Sequence, residues 1–390
     1  MRQFELRREP IVISFEEQSA YTETYGFVGS QGRVFLEGQR LLPVGRDSET
    51  VLVFMHPATT LNLMPLPVAL ARAGHHVLCG ASRYAKNDAP LIMEKVVADL
   101  GAYIRHARED LGYRKVILCG WSGGGSLATL YQSQAENTTI TATPAGDPYD
   151  LARFDLMPAD ALMFIAAHTG RARILTEWID PSVLDEQDPD RRDPALDLYG
   201  SEVGAPYSEE FVATFRAAQL ARVRRITAWV EEMLATLKRR NTAEVERPFI
   251  VHRTMADPRF LDASIEPNGR RPKWCYLGNP ETVNSGPAGL ARFSTLRGWL
   301  SQWSPDHSVA DAERCITDVT VPLLVIENTA DDASPVSHPV CVFEAARMAD
   351  KSFVRIEGAT HYYKDQPEHQ RKAVDEIETW MVARGLYAMP

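Results

Sequence analysis

Residues 115–126, KVILCGWSGGGS, constrain this 390-residue chain more than any other stretch. An apolar run from Val116 to Cys119 ends at a glycine-flanked serine, after which Leu127, Ala128, Leu130 and Tyr131 recur at helical spacing. Strand must therefore give way to helix within a few residues. So tight a turn drives the φ of Ser122 positive and leaves room only for glycine at Gly120 and Gly124. The strain pushes the Ser122 hydroxyl outward, which makes it a candidate nucleophile.

Strand-like and helix-like segments alternate on both sides of this turn. Residues 11–15, 25–28, 33–36 and 51–55 read as short strands, an antiparallel entry into a sheet. A strand at 76–80, a helix over about 89–111, the strand before Ser122 and a strand at 139–143 continue in the grammar of a parallel α/β sheet. The grammar returns with strands at 321–327 and 353–357 and helices at 339–348 and 366–384. The expected fold class is thus α/β, a mostly parallel central sheet flanked by helices.

Between these blocks, residues 148–314 break the rhythm and read as a mainly helical insertion, which leaves 1–147 and 315–390 as the core. The segment DEQDPDRRDP at 185–194 has the composition of an exposed loop. A long helix follows Ser208, a good N-cap with Glu209 and Glu210 at the positive end of the helix dipole. It closes on Lys238, Arg239 and Arg240 before Asn241. Val223, Ile226, Val230, Met233 and Leu237 form its apolar stripe. That stripe is expected to pack on the core or the rest of the insertion, with a homodimer seam as the alternative. The cluster Arg222, Arg224 and Arg225 reads as a solvated face.

Composition narrows the partners. With 52 acidic against 42 basic residues the net charge is -10, which disfavours nucleic acid and anionic membrane surfaces. The opening stretch MRQFELRREPIVISFEEQ has no export signal's apolar core, and no apolar run reaches bilayer length. Five scattered cysteines form no C-x-x-C pair, and the histidines show no metal-ligand spacing. No nucleotide-binding glycine motif is present. A cytoplasmic protein acting on a small molecule without metal or cofactor is expected.

A serine hydroxyl is a poor nucleophile until a base accepts its proton and a third group orients that base. The late block supplies both in order. The strand at 321–327 runs into Asn328-Thr329-Ala330-Asp331-Asp332, and the next strand runs into Glu357-Gly358-Ala359-Thr360-His361. Thirty positions separate Asp331 from His361, room for one helix and one strand, so both side chains belong at the carboxyl edge of adjacent parallel strands.

At these residues the chain resembles the α/β-hydrolase superfamily. GWSGGG matches its nucleophile elbow, the Asp331 loop and GATHYY match its acid and histidine loops, and 148–314 corresponds to a cap (lid) domain. The resemblance implies Ser122, Asp331 and His361 as a catalytic triad. The acid's usual place four residues before a proline selects Asp331 over Asp332, although Ser334 replaces the usual apolar residue; Asp147 is the reserve acid. For the oxyanion hole it implies the Gly123 N–H and, by position in His56-Pro57-Ala58-Thr59, the Ala58 N–H, with Thr59 as fallback. Pro57 departs from the family's pattern, and His56 is expected to anchor this loop.

Specificity is expected from the cap, which holds five of the seven tryptophans. Trp178 and Trp229, with His56, Thr59 and Trp121 of the core, are the candidate substrate contacts. They suit an apolar or aromatic molecule. The expected activity is cleavage of a carboxylic ester through an acyl-enzyme. Carbon–carbon bond hydrolysis of keto or diketone compounds, amidase or acyltransferase chemistry, and a non-enzymatic ligand-binding module remain the alternatives.

Overall fold

The computed structural model describes residues 3–17, 23 and 32–387; the strand expected at 25–28 lies outside them. Among the described residues the centre is an eight-stranded sheet. Its strands are β1 (Leu6–Glu16), β2 (Arg33–Pro43), β3 (Thr50–His56), β4 (His76–Ala81), β5 (Lys115–Trp121), β6 (Ala161–Ile165), β7 (Leu323–Asn328) and β8 (Lys351–Ile356). They lie in the order β1-β2-β4-β3-β5-β6-β7-β8. β2 runs antiparallel to β1 and β4, while all other neighbours are parallel.

The inner strands are covered on both faces, which is why they read as unbroken apolar runs. Alternate residues of β3 serve opposite layers. Val51, Val53 and Met55 pack with α2 (Met93–Arg105) and α3 (Gly124–Glu136). Leu52 and Phe54 pack with α1 (Pro65–Ala73) and the closing helix, Pro367–Val382. β5 and β6 alternate in the same way, so the registry of the site-bearing strands is fixed by two cores at once.

One strand is not where the sequence suggested. Residues 139–143 contribute only an isolated bridge between Ala142 and Pro148, and the sheet position beside β5 is taken by β6. β6 is a five-residue apolar run, ALMFI, buried throughout and lying inside the stretch expected to be inserted. The segment 185–194 also departs from a plain loop, since Val183–Asp185 and Asp188–Arg192 pair as a short antiparallel ribbon.

Beyond β6 come α4 (Arg171–Trp178) and the long α5 (Glu209–Arg240). Ser208 caps α5 by accepting the Phe211 N–H, and Asn241 ends it in the left-handed conformation. Its stripe is buried against other elements of the same region: Val223, Ile226, Val230 and Leu237 join Leu175, Ile179, Val251, Trp299 and Trp303 in one cluster. The basic face is corrected at one position. Arg222 is buried, ion-paired to Glu186 and donating to the carbonyls of Asp180, His252 and Arg253, whereas Arg224 and Arg225 are exposed. Among the described residues, no helix is long and apolar enough to cross a membrane.

Candidate active site

β5 ends at Trp121, Ser122 takes φ 54°, and Gly123 caps the first turn of α3. The glycines here serve close approach. A Cβ at Gly120 would lie 2.7 Å from the Gly124 carbonyl oxygen, one at Gly124 would lie 2.5 Å from that of Met55, and one at Gly125 would lie 2.5 Å from Ala167 Cβ. The strand, the helix and β3 can meet this tightly only without side chains.

The two late loops converge on Ser122. Asp331, three residues beyond β7, accepts the Ala333 and Ser334 N–H groups on Oδ1 at 2.7 and 2.8 Å and turns Oδ2 to His361 Nδ1 at 2.8 Å. His361 Nε2 lies 3.2 Å from Ser122 Oγ. The loops are tied to each other: the Ala330 N–H donates to the Ala359 carbonyl, Asn328 Nδ2 to that of Thr360, and the Tyr363 hydroxyl to Asn328 Oδ1. Asp331 and His361 are buried, with the Trp121 ring 4.5 Å from the imidazole centroid to centroid. Such a chain of polar groups, shielded from water, holds the imidazole in one orientation.

The rival acids sit elsewhere. Asp147 pairs with Arg297 Nε at 2.7 Å, on a loop next to α5. Asp332 accepts the Tyr276 N–H on its carbonyl, and burial, followed by the charge of Asp331, pushes its carboxyl up to about 6.

Of the expected oxyanion donors, the Gly123 N–H stands at the start of α3, beyond the reach of intrahelical bonding. The Ala58 N–H departs from expectation, since it donates to His56 Nδ1 at 3.1 Å. Through this bond His56 ties its ring to its own loop. Burial, then the charges of Arg171 and His361, lower its pKa to about 3, so the ring is neutral.

Ser122 opens on a cleft of about 430 Å³ between the sheet edge and the elements after β6. His56, Ala58, Thr59 and Trp121 line its core side, and Trp178, Tyr276, Leu290 and Trp303 its other side. Trp229 is corrected: it is 40% exposed, packs edge-on against Phe249 and does not line the cleft. Other lining residues escaped the sequence, Arg171 and His168 among them. Arg171 begins α4, pairs with Asp88 and lies over the Trp303 ring at 4.2 Å. His168, just before it, is buried with no partner for Nδ1 among the described residues, and burial holds its pKa well below the usual value. Neither has a motif around it; only the position of β6 reveals them. Among the described residues no group of three or more His, Cys, Asp or Glu side chains is arranged to hold a metal ion.

The sheet order with its antiparallel β2, the left-handed serine between β5 and α3, and the acid and histidine loops after β7 and β8 define an α/β-hydrolase fold. The chain is similar to the esterase domain of a Rhodothermus marinus protein, at 15% identity over 96% of this chain and 98% of that one, with a TM-score of 0.44. It is similar also to the siderophore hydrolase EstB from Aspergillus fumigatus (14% identity, 90% and 95% covered, TM-score 0.48) and to Est1E from Butyrivibrio proteoclasticus (13%, 91% and 96%, 0.46). No protein-family model and no curated protein matches the sequence. The fold assignment stands on the chain's own sheet order and turn geometry.

Proposed function

We propose that this protein is a serine hydrolase that cleaves a carboxylic ester of a small apolar or aromatic substrate through an acyl-enzyme on Ser122. The observation that carries this reading is the hydrogen-bonded chain from Asp331 Oδ2 through His361 to Ser122 Oγ. In it, His361 Nε2 takes the serine proton as Oγ attacks the carbonyl carbon. Asp331 holds the Nδ1–H and stabilises the imidazolium that forms. The Gly123 N–H receives the developing oxyanion, His361 then protonates the departing alkoxide, and a water deprotonated by the same nitrogen releases the acid.

The substrate reading rests on the cleft, where Trp121, Trp178, Tyr276 and Trp303 provide flat apolar walls next to Ser122. In this reading the elements between β6 and β7 act as the cap. Its boundary is best drawn after β6, at about 166–311 rather than 148–314, because β6 belongs to the sheet.

Turnover of a panel of aryl esters, anilides and ring-cleavage diketones by wild type and Ser122→Ala tests the proposal. Ester hydrolysis lost in the variant is expected. Inertness to every ester with turnover of a diketone would replace ester cleavage by carbon–carbon bond hydrolysis, and tight binding without turnover would leave a ligand-binding module.

A further inference from the structure

An oxyanion formed at Ser122 needs two donors, and the expected second one is spent inside its own loop. Because the Ala58 N–H donates to His56 Nδ1, that nitrogen carries the ring's lone pair. The proton of the neutral imidazole is therefore on Nε2. The hydrogen bond His56 makes among the described residues is on Nδ1, and the residue lines the cleft beside Ser122.

The neighbouring glycine stands close to Nε2. A Cβ built on Gly123 would lie 2.8 Å from His56 Nε2 and 3.4 Å from both Cδ2 and Cε1, so the Nε2 corner of the ring lies against Gly123, with that spot over the ring face. Gly123 has φ -60° and ψ -15°, right-handed backbone open to any residue. Glycine is required here for space, because a Cβ would collide with the Nε2 corner of the His56 ring and push it away from the Gly123 N–H.

We propose that His56 is a catalytic residue of the oxyanion hole, its Nε2–H binding the substrate carbonyl oxygen together with the Gly123 N–H as charge develops on that oxygen. This rests on the assignment of Ser122 as nucleophile. The role differs from loop anchoring, which uses the other ring nitrogen. Neutral across the working pH range, the imidazole donates without competing with His361 for the serine proton.

The test separates donor from anchor. In His56→Asn the shorter side chain retains an acceptor for the N–H two residues on, as in an Asx turn, but cannot place a donor where Nε2 stands. Steady-state hydrolysis of an aryl ester by wild type, His56→Ala, His56→Asn and Gly123→Ala is compared with thermal unfolding of each. The expected result is a kcat about 10²- to 10³-fold lower in all three variants, with KM little changed. Ser122 in the His56 variants should also react more slowly with an aryl phosphonate. Wild-type kcat in His56→Asn would make the residue a loop anchor only, and wild-type kcat in His56→Ala would pass the second donor to the Thr59 N–H; either overturns the proposal. A wild-type protein unreactive to the phosphonate at Ser122 would instead remove the nucleophile assignment beneath it.

Discussion

Asp331 meets His361 through one carboxylate oxygen, 2.8 Å from Nδ1, while its other oxygen is bound by the Ala333 and Ser334 N–H groups. The carboxylate cannot rotate away, and the tautomer with a free Nε2 lone pair toward Ser122 is imposed on the ring. Asp331→Asn should therefore preserve the fold and lower kcat by about 10⁴, the order expected when the wrong tautomer is favoured. Asp147→Asn, at the Arg297 ion pair, should leave kcat within about threefold, since it is remote from the reacting atoms. Equal losses in the two variants would refute the assignment of the acid.

Two of the three tryptophans first expected at the substrate, Trp178 and Trp229, should behave differently. Trp178 lines the cleft and packs on Phe260, so Trp178→Phe keeps most of the packing and trims the wall. KM for an aryl ester should rise about fivefold, a loss of about 1 kcal/mol of contact. Trp229→Phe should leave KM unchanged. Michaelis constants of both variants on one ester check this.

Glu94 at the start of α2 is fully buried, accepting the Ser301 hydroxyl at 2.8 Å on one oxygen with no partner for the other among the described residues. Burial raises its pKa to about 7 from 4.5. The native state then holds a proton that the unfolded chain releases between about pH 4.5 and 7, so this residue costs stability as pH rises through that window. Glu94→Gln should gain on the order of 3 kcal/mol at most over wild type at pH 8.5 and nothing at pH 4. Unfolding midpoints of both proteins at the two pH values measure the difference; a gain independent of pH would contradict the account.

Gly125 tests whether the elbow is set by crowding. A Cβ there would lie 2.5 Å from Ala167 Cβ and 2.6 Å from Phe164 Cε2, both held in the core under β6. Gly125→Ala should lower stability by about 1–3 kcal/mol, the usual range for overpacking. Denaturant unfolding of the variant reads this directly.

How much of this was legible in the sequence depended on how local the determining physics was. The elbow, the Ser208 cap and the Asp331 and His361 loops are written in short stretches whose turn chemistry or flanking strands fix them. β6 was not, because ALMFI is too short to declare itself and becomes a strand only by pairing with β5 and β7. Misplacing it hid His168 and Arg171. Trp229 and Trp178 are equally aromatic on paper, and only tertiary packing puts one outside and the other against the cleft. The Ala58 N–H likewise had the right position along the chain, but its direction was decided by the His56 ring two residues before it.

The central claim is that Ser122 carries the acyl group. Wild-type protein incubated with a slowly deacylating aryl ester and quenched in acid should gain the mass of one acyl group, mapped by peptide sequencing to Ser122, with no gain in Ser122→Ala. An adduct on another residue, or ester turnover undiminished in Ser122→Ala, would contradict the account.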